Sequence, residues 1–162
     1  MSRTAAPALV RLCALLTLTV GLVASTTALA APAEATTRHD MARKAKRIAM
    51  HQRGDAYRYG AEGPHRFDCS GLVYYSFRRA GFSNIPRSSG AQAEHVRRIR
   101  KRDLRRGDLM FFHDRGDVYH VAIYLGRRDG RRRMVHSPST GKRVHVASPW
   151  TSEWYAGTLR RR

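Results

Sequence analysis

The segment Phe67–Val73 reads F-D-C-S-G-L-V and places a cysteine at the start of a predicted helix. Apolar residues recur at helical spacing from this point, at Cys69, Leu72, Val73, Phe77 and Ala80. Asp68 is a favourable N-cap residue, and Gly81 is a typical helix stop. The pattern therefore predicts a helix in which Cys69 is the first residue.

Cys69 is expected to be the one cysteine of the mature protein, because Cys13 lies in a predicted export signal. An unpaired cysteine in an exported protein is either an intermolecular link or a reactive thiol. The positive end of a helix favours the reactive thiolate, and its free N–H groups could hold an oxyanion. The charge of Asp68 opposes ionisation of the thiol, so a nearby base is required.

Residues 1–30 have the pattern of a secretory signal peptide. Arg3 and Arg11 precede or flank an apolar run, Leu12–Val23, that is short for a membrane span, and Ala28–Ala30 is an A-x-A cleavage site. An uncleaved membrane anchor is the alternative. We expect residues 31–40 to be a linker and residues 41–162 to be one catalytic domain, secreted and without a further membrane span.

The chain is strongly basic, with 31 basic and 12 acidic residues. Removal of Arg3 and Arg11 with the signal leaves 29 basic residues against 12 acidic ones, a net charge of +17. Such a charge attracts polyanions: nucleic acid, anionic lipid or the bacterial wall. The chain lacks the interleaved aromatic and basic segments that single-strand binders use, so no specific nucleic acid is expected.

Helices are predicted before strands along the chain. A basic amphipathic helix around Met41–Ala49 is expected to pack on the domain, in preference to a membrane surface. Gly54–Gly63 is predicted as a loop, a short helix follows from Pro86 to Val96, and the charge run Arg97–Arg106 is predicted as a solvated connection.

The second half of the chain is predicted to form strands, at Leu109–Phe112, His120–Leu125, Arg133–His136, Lys142–Ala147 and Tyr155–Leu159. Asp129-Gly130 predicts a hairpin. This order of elements predicts an α+β domain with a mostly antiparallel sheet, against which the Cys69 helix packs.

Two of the eight histidines are candidates for the required base and its partner. His120 begins the most apolar strand, where a histidine is either a solvated strand end or a placed catalytic group. His136 ends the next strand, and antiparallel pairing could bring it beside His120 to orient the imidazole. His65 could approach from its loop, whereas His145 should face solvent. The scattered spacing disfavours a zinc site, and no cofactor is expected.

Six segments of the chain resemble the NlpC-type family of bacterial cell-wall cysteine peptidases, which have a papain-like fold with a rearranged order of elements. The resemblance runs from about Ala45 to Arg160. The matching segments are Gly54–Gly60, Phe67–Val73, Pro86–Ser89, Gly107–Phe112, His120–Gly126 and Val135–Pro138. Small departures occur at Ala61 and Ala122, where the family often has glycine.

The resemblance implies that Cys69 is the nucleophile, His120 the base and later the acid, and His136 the polar third member. It also implies a set of residues that contact substrate, namely Tyr57, Asp68, Ser70, Arg87 and Ser88. Family members hydrolyse peptidoglycan stem peptides, commonly between D-glutamate and the diamino acid.

The expected function is therefore that of a secreted, wall-associated cysteine endopeptidase acting on peptidoglycan as a monomer. Anionic wall polymers are further candidate partners because of the positive charge. Two alternatives stay open. The same groups could serve an amidase or another acyl transferase, or the protein could be a non-catalytic basic wall-binding protein.

Overall fold

The computed structural model describes residues 37–160. The predicted signal peptide (residues 1–30) and residues 31–36 of the predicted linker lie outside the described residues. Helix α1 spans Arg38–His51, and its N-cap is Thr37, whose side chain accepts a hydrogen bond from the Asp40 N–H. Residues 38–40 of the segment predicted as linker therefore form the first turn of this helix.

The remaining helices are α2 at Cys69–Ala80 and α3 at Ser89–His95, with a 3-10 turn at Lys101–Asp103. The strands are β1 Ala56–Tyr57, β2 Arg66–Phe67, β3 Arg97–Ile99, β4 Leu109–Asp114, β5 Asp117–Arg128, β6 Arg131–His136, β7 His145–Ala147 and β8 Trp154–Thr158. None of the helices within residues 37–160 is long and apolar enough to cross a membrane.

Helix α2 has the bounds that the sequence predicts. The Asp68 side chain accepts a hydrogen bond from the Gly71 N–H at one end, and Gly81 adopts a left-handed conformation with φ of 114° at the other. Leu72, Val73 and Phe77 are buried along the helix. The ends are set by local capping signals, and the apolar face anchors the helix in the core.

Strands β3 to β8 form one antiparallel sheet in the order β3-β8-β4-β5-β6-β7, and β1 pairs with β2 in a small parallel sheet. Helices α1, α2 and α3 pack on the sheet with β5 as their common contact. One core lies under the helices, and a second covers the opposite face around Met110, Phe112 and Trp154. The predicted α+β architecture, with the Cys69 helix against a mostly antiparallel sheet, is confirmed.

Several predictions about individual segments are wrong, among them the loop Gly54–Gly63, which contains β1. Strand β5 begins at Asp117, so His120 lies within it. The run Arg97–Arg106 includes edge strand β3, which pairs with β8, and charged residues are common on sheet edges. The strand predicted from Lys142 begins only at His145, because Val144 instead donates its N–H to the Asp55 carbonyl.

Candidate active site

Cys69 lies half-buried at the first position of α2, where its sulfur faces backbone N–H groups. Burial raises the pKa of the Cys69 thiol, and the charge of Asp68 raises it further. Hydrogen bonds from the N–H groups of Val121, Ser70 and Cys69 itself act in the opposite direction. The thiol is therefore neutral at pH 7 but lies among the donors that would stabilise its anion.

The sheet brings His120 and His136 into direct contact. Ile123 of β5 pairs with Val135 of β6, and continuing this register places His136 beside Ala122, two residues from His120 on the same face. The two imidazoles are hydrogen-bonded, with His120 Nε2 3.0 Å from His136 Nδ1. His120 is also next to Val121, whose N–H contacts Cys69. The two histidines singled out from the sequence thus lie together, and the backbone that follows His120 contacts Cys69.

Burial keeps both imidazoles neutral. It lowers the pKa of His120 to about 4 and, together with the charges of His120, His145 and Lys142, lowers the pKa of His136 to about 3. A neutral His120 can accept a proton on Nδ1 only if its Nε2 carries hydrogen. Its Nε2–H would then donate to His136 Nδ1, which is the arrangement that orients a base.

Trp150 covers the histidine pair and was not identified from the sequence. Its ring stacks on Phe112 with centroids 4.2 Å apart and also contacts His120 at 5.3 Å and His136 at 5.6 Å. The outer side of Trp150 is open to solvent. Because a lone tryptophan in a connecting segment has no local pattern, only the folded chain shows this contact.

His145 is exposed, as predicted, yet it lies beside the site. It pairs with His136 in the register of β6 and β7, and the two ring centroids are 4.7 Å apart. Its Nδ1 is 2.8 Å from the Arg143 carbonyl oxygen. The ring contacts found for the pair among residues 37–160 involve Phe112, His145 and Trp150, and not the exposed His65.

Asp68, Ser70 and Arg87, expected to contact substrate, are hydrogen-bonded to each other. Ser70 Oγ and Arg87 both donate to Asp68, and Arg87 also donates to Ser70 Oγ at 3.0 Å. The backbone N–H groups of Gly60 and Gly71 complete the contacts of the Asp68 carboxylate. Burial alone would raise the pKa of Asp68, but the hydrogen bonds from Arg87 and Gly71 lower it. Asp68 is therefore an ionised helix cap.

Tyr57 and Ser88, the other two expected substrate contacts, are in different surroundings. Tyr57 lies on β1, and burial together with the nearby charges of Cys69 and Asp68 raises the pKa of its phenol. Tyr57 is thus close to the cysteine. The Ser88 side chain caps α3 by accepting a hydrogen bond from the Ala91 N–H at 3.3 Å.

Two buried side chains that sequence reasoning missed connect the parts of the site. Ser137, next to His136, donates to the Phe67 carbonyl at 2.7 Å. Gln92 of α3 donates through Nε2 to the carbonyls of Ser70 at 3.0 Å and Pro86 at 2.9 Å. Neither residue belongs to a recognised sequence motif. The only hint in the sequence is that Ser137 follows a candidate histidine and that Gln92 is a polar residue in a predicted short helix.

Comparison with known proteins identifies relatives of the chain. The family model of the NlpC/P60 family matches residues 54–162. Murein DD-endopeptidase MepH of Escherichia coli (strain K12) is 35% identical over 130 residues, which are 72% of this chain and 46% of MepH. A gamma-D-glutamyl-L-lysine dipeptidyl-peptidase of Bacillus subtilis (strain 168) is 38% identical over 96 residues, 57% of this chain and 31% of that protein. The chain spans less than half the length of either relative.

Solved structures of similar domains have the same fold. The peptidoglycan hydrolase RipB of Mycobacterium tuberculosis is 28% identical with a TM-score of 0.66, covering 77% of this chain and 67% of RipB. RipD of the same species, described as a non-catalytic NlpC/p60 domain protein adapted to peptidoglycan binding, is 25% identical with a TM-score of 0.62, covering 74% and 97%. These similarities confirm the predicted papain-like fold. Because the family model covers more than half of its residues, this chain belongs to the NlpC/P60 family.

Proposed function

We propose that the protein is a cysteine endopeptidase that hydrolyses amide bonds in the stem peptides of peptidoglycan. Cys69 is the nucleophile, His120 the general base and acid, and His136 the group that orients His120. One observation supports the proposal: the thiol at the start of α2 accepts a hydrogen bond from the N–H of Val121, the residue after His120, and the His120 imidazole is hydrogen-bonded at 3.0 Å to that of His136. Nucleophile, base and orienting group are the parts that acyl transfer by a thiol requires.

In the first half of the reaction, His120 Nδ1 takes the proton of the Cys69 thiol as the sulfur attacks the amide carbonyl carbon. The N–H groups at the start of α2 are placed to stabilise the negative charge that develops on the carbonyl oxygen. His136 Nδ1 accepts the hydrogen bond from His120 Nε2 and stabilises the imidazolium.

In the second half, the imidazolium of His120 protonates the leaving amine, the C–N bond breaks, and a thioester to Cys69 is left. His120 then removes a proton from water, whose oxygen attacks the thioester carbonyl. The carboxylic acid leaves, and the thiol regains its proton. No metal or cofactor takes part in these steps.

The bond that we propose is the one between D-glutamate and the diamino acid, as the resemblance implies. The name of the Bacillus subtilis relative points to this linkage, whereas the name of MepH points to a DD-linkage. An amidase or acyl transferase would use the same three residues. We further propose that the protein is secreted and acts at the cell wall.

A second candidate function is peptidoglycan binding without catalysis. RipD, with a similar domain, is described as non-catalytic and adapted to binding. The presence of Cys69, His120 and His136 in this chain, with the two histidines hydrogen-bonded to each other, favours the enzyme.

The test is digestion of purified peptidoglycan by the protein and by Cys69→Ala, with mass spectrometry of the soluble products. Peptide fragments released only by the unmutated protein support the proposal, and their masses identify the bond. An intact stem peptide freed from the glycan would indicate an amidase. If neither protein releases fragments while both bind the wall, the binding function is correct and the proposed hydrolysis is wrong.

A further inference from the structure

A basic surface pocket of about 530 Å³ lies beside the hairpin that joins β5 to β6. We call it the hairpin pocket and define it by its four cationic residues, Lys101, Arg127, Arg131 and Arg132. Its other walls come from the segment 148–152 and from Trp154. No acidic residue lines it, so four positive charges converge on one concavity.

Within residues 37–160, the cations of the hairpin pocket contact carbonyl oxygens and an aromatic ring. Lys101 Nζ donates to the Ser152 carbonyl at 2.7 Å and lies 4.3 Å from the centre of the Trp154 ring. Arg127 donates to the Gly130 carbonyl. The guanidinium of Arg132 also lies over the Trp154 ring, 5.5 Å from its centroid. Among the described residues, none of the four cations forms an ion pair with a carboxylate. Their mutual repulsion would be relieved by an anionic ligand.

The hairpin pocket adjoins the candidate active site. Ser148 lines both the hairpin pocket and the cavity of about 480 Å³ above His120 and His136. Arg133 donates to Ser148 Oγ at 3.2 Å and so holds this shared wall. Trp150, which covers the histidines, lies in the same segment. A polymer bound in the pocket would therefore run close to the reacting groups.

We propose that the hairpin pocket binds an anionic wall polymer through its phosphodiester groups and thereby holds the protein on the wall near its substrate. Arginine forks match the oxygens of phosphate, and three of the four cations are arginines. Trp154 is buried beneath Lys101 and Arg132, so its ring is not free to stack on a nucleic-acid base. The wall as the source of the polymer rests on the proposed function, whereas the affinity for phosphodiesters does not.

The test measures binding of the protein to fluorescent poly(glycerol phosphate) of defined length at 0.1 M salt. The pocket variant is Arg127→Gln/Arg131→Gln, and the matched control is Lys44→Gln/Arg47→Gln, which removes the same charge from exposed positions of α1. Two surface cations next to a polyanion are expected to account for about a tenfold or greater change in Kd. We expect that loss for the pocket variant and less than about a threefold loss for the control.

Further measurements distinguish the classes of ligand and separate the proposed binding pocket from the proposed hydrolase activity. Equal losses in both variants would show a diffuse charge effect and overturn the pocket. Equally tight, pocket-dependent binding of poly-γ-glutamate or of single-stranded DNA with the same number of charges would overturn the choice of a phosphodiester wall polymer. Cleavage of a short soluble stem peptide should be unchanged in the pocket variant. If no variant cleaves while the binding difference persists, the hydrolase proposal fails and the pocket stands.

Discussion

The guanidinium of Arg87 contacts both carboxylate oxygens of Asp68, with Nη1 3.0 Å from Oδ1 and Nη2 2.8 Å from Oδ2. Its Nε also lies 2.9 Å from a carboxylate oxygen of Glu62. Asp68 in turn caps the helix that begins at Cys69. Arg87 therefore positions Cys69, the proposed nucleophile, through the helix cap, whereas the resemblance implies a contact with substrate.

Replacing Arg87 by alanine is expected to destabilise the protein and misplace Cys69. Asp68 would be left largely buried without its charged partner, which costs about 1–3 kcal/mol of unfolding free energy. Urea unfolding and the kcat for a stem peptide would measure both effects. Arg87→Lys should recover part of the stability, because it restores the charge but not the two-pronged contact. Arg43→Ala, which breaks an exposed pair with Asp40, is the control and should change little. Full stability of Arg87→Ala would contradict this role.

Replacing His136 by alanine is expected to lower kcat by about 100-fold or more while KM changes little. The reason is that His120 loses the acceptor at 3.0 Å that sets its tautomer and stabilises its imidazolium. His136→Gln, which can offer an amide oxygen, should retain more activity than His136→Ala. Steady-state kinetics on a soluble stem peptide would test this, and unchanged kcat in the alanine variant would exclude His136 from the machinery.

Stability is expected to fall as the pH drops from about 6.5 to about 4. The pKa of His120 is about 4 in the folded protein against an ordinary value of 6.5, so in this window the unfolded chain binds a proton that the folded protein does not. The His120 contribution alone approaches about 3 kcal/mol at the lower limit, His136 with its pKa of about 3 adds a loss of similar size over the same window, and none is expected above pH 7.5. Urea unfolding at several pH values would measure it. The slope should be smaller in His120→Gln; an identical slope would mean that another group titrates. Asp68, whose pKa is lowered, contributes stability that is lost only at still lower pH.

Removing Trp150 is expected to shift the acid limb of the pH–activity profile to higher pH. Its ring covers both imidazoles, so Trp150→Ala would admit water and bring the pKa of His120 back toward its ordinary value. The measurement is kcat/KM as a function of pH. Tyr59→Ala is the control, since Tyr59 is an exposed aromatic residue for which no ring contact with either imidazole is found among residues 37–160. The same shift in the control would refute a specific role for Trp150.

Ser137→Ala is expected to destabilise the protein by about 1 kcal/mol, because the Phe67 carbonyl would lose its 2.7 Å hydrogen bond and keep only the one from the Arg58 N–H at 3.1 Å. This bond joins the strand end that carries His136 to the residue before Asp68, so kcat should fall as well. Ser139→Ala, at an exposed position nearby, should stay within about 0.5 kcal/mol of the parent protein. A Ser137→Ala protein that is fully stable and active would show that the bond has no positioning function.

Helix α2 could be predicted to the residue because its signals are local. Asp68 caps it, Gly81 ends it, and the apolar spacing between them depends only on the helical repeat. The same kind of reasoning identified Cys69 as a reactive thiol candidate and indicated that antiparallel strands could bring His120 and His136 together. The α+β class followed from the order of the elements along the chain.

Contacts between distant residues could not be predicted in this way. The pairing of Arg87 with Asp68, the bond from Ser137 to Phe67 and the cover of Trp150 each join parts of the chain that no local pattern relates. The edge strand β3 is another case, because its charged residues belong to the sheet only through their partner β8. The sequence by itself determined helix α2 and pointed to thiol chemistry at its first residue. The tertiary structure alone decided which side chains hold Asp68, cover the histidines and join the segments of the site, because burial and hydrogen bonding depend on the whole packed chain.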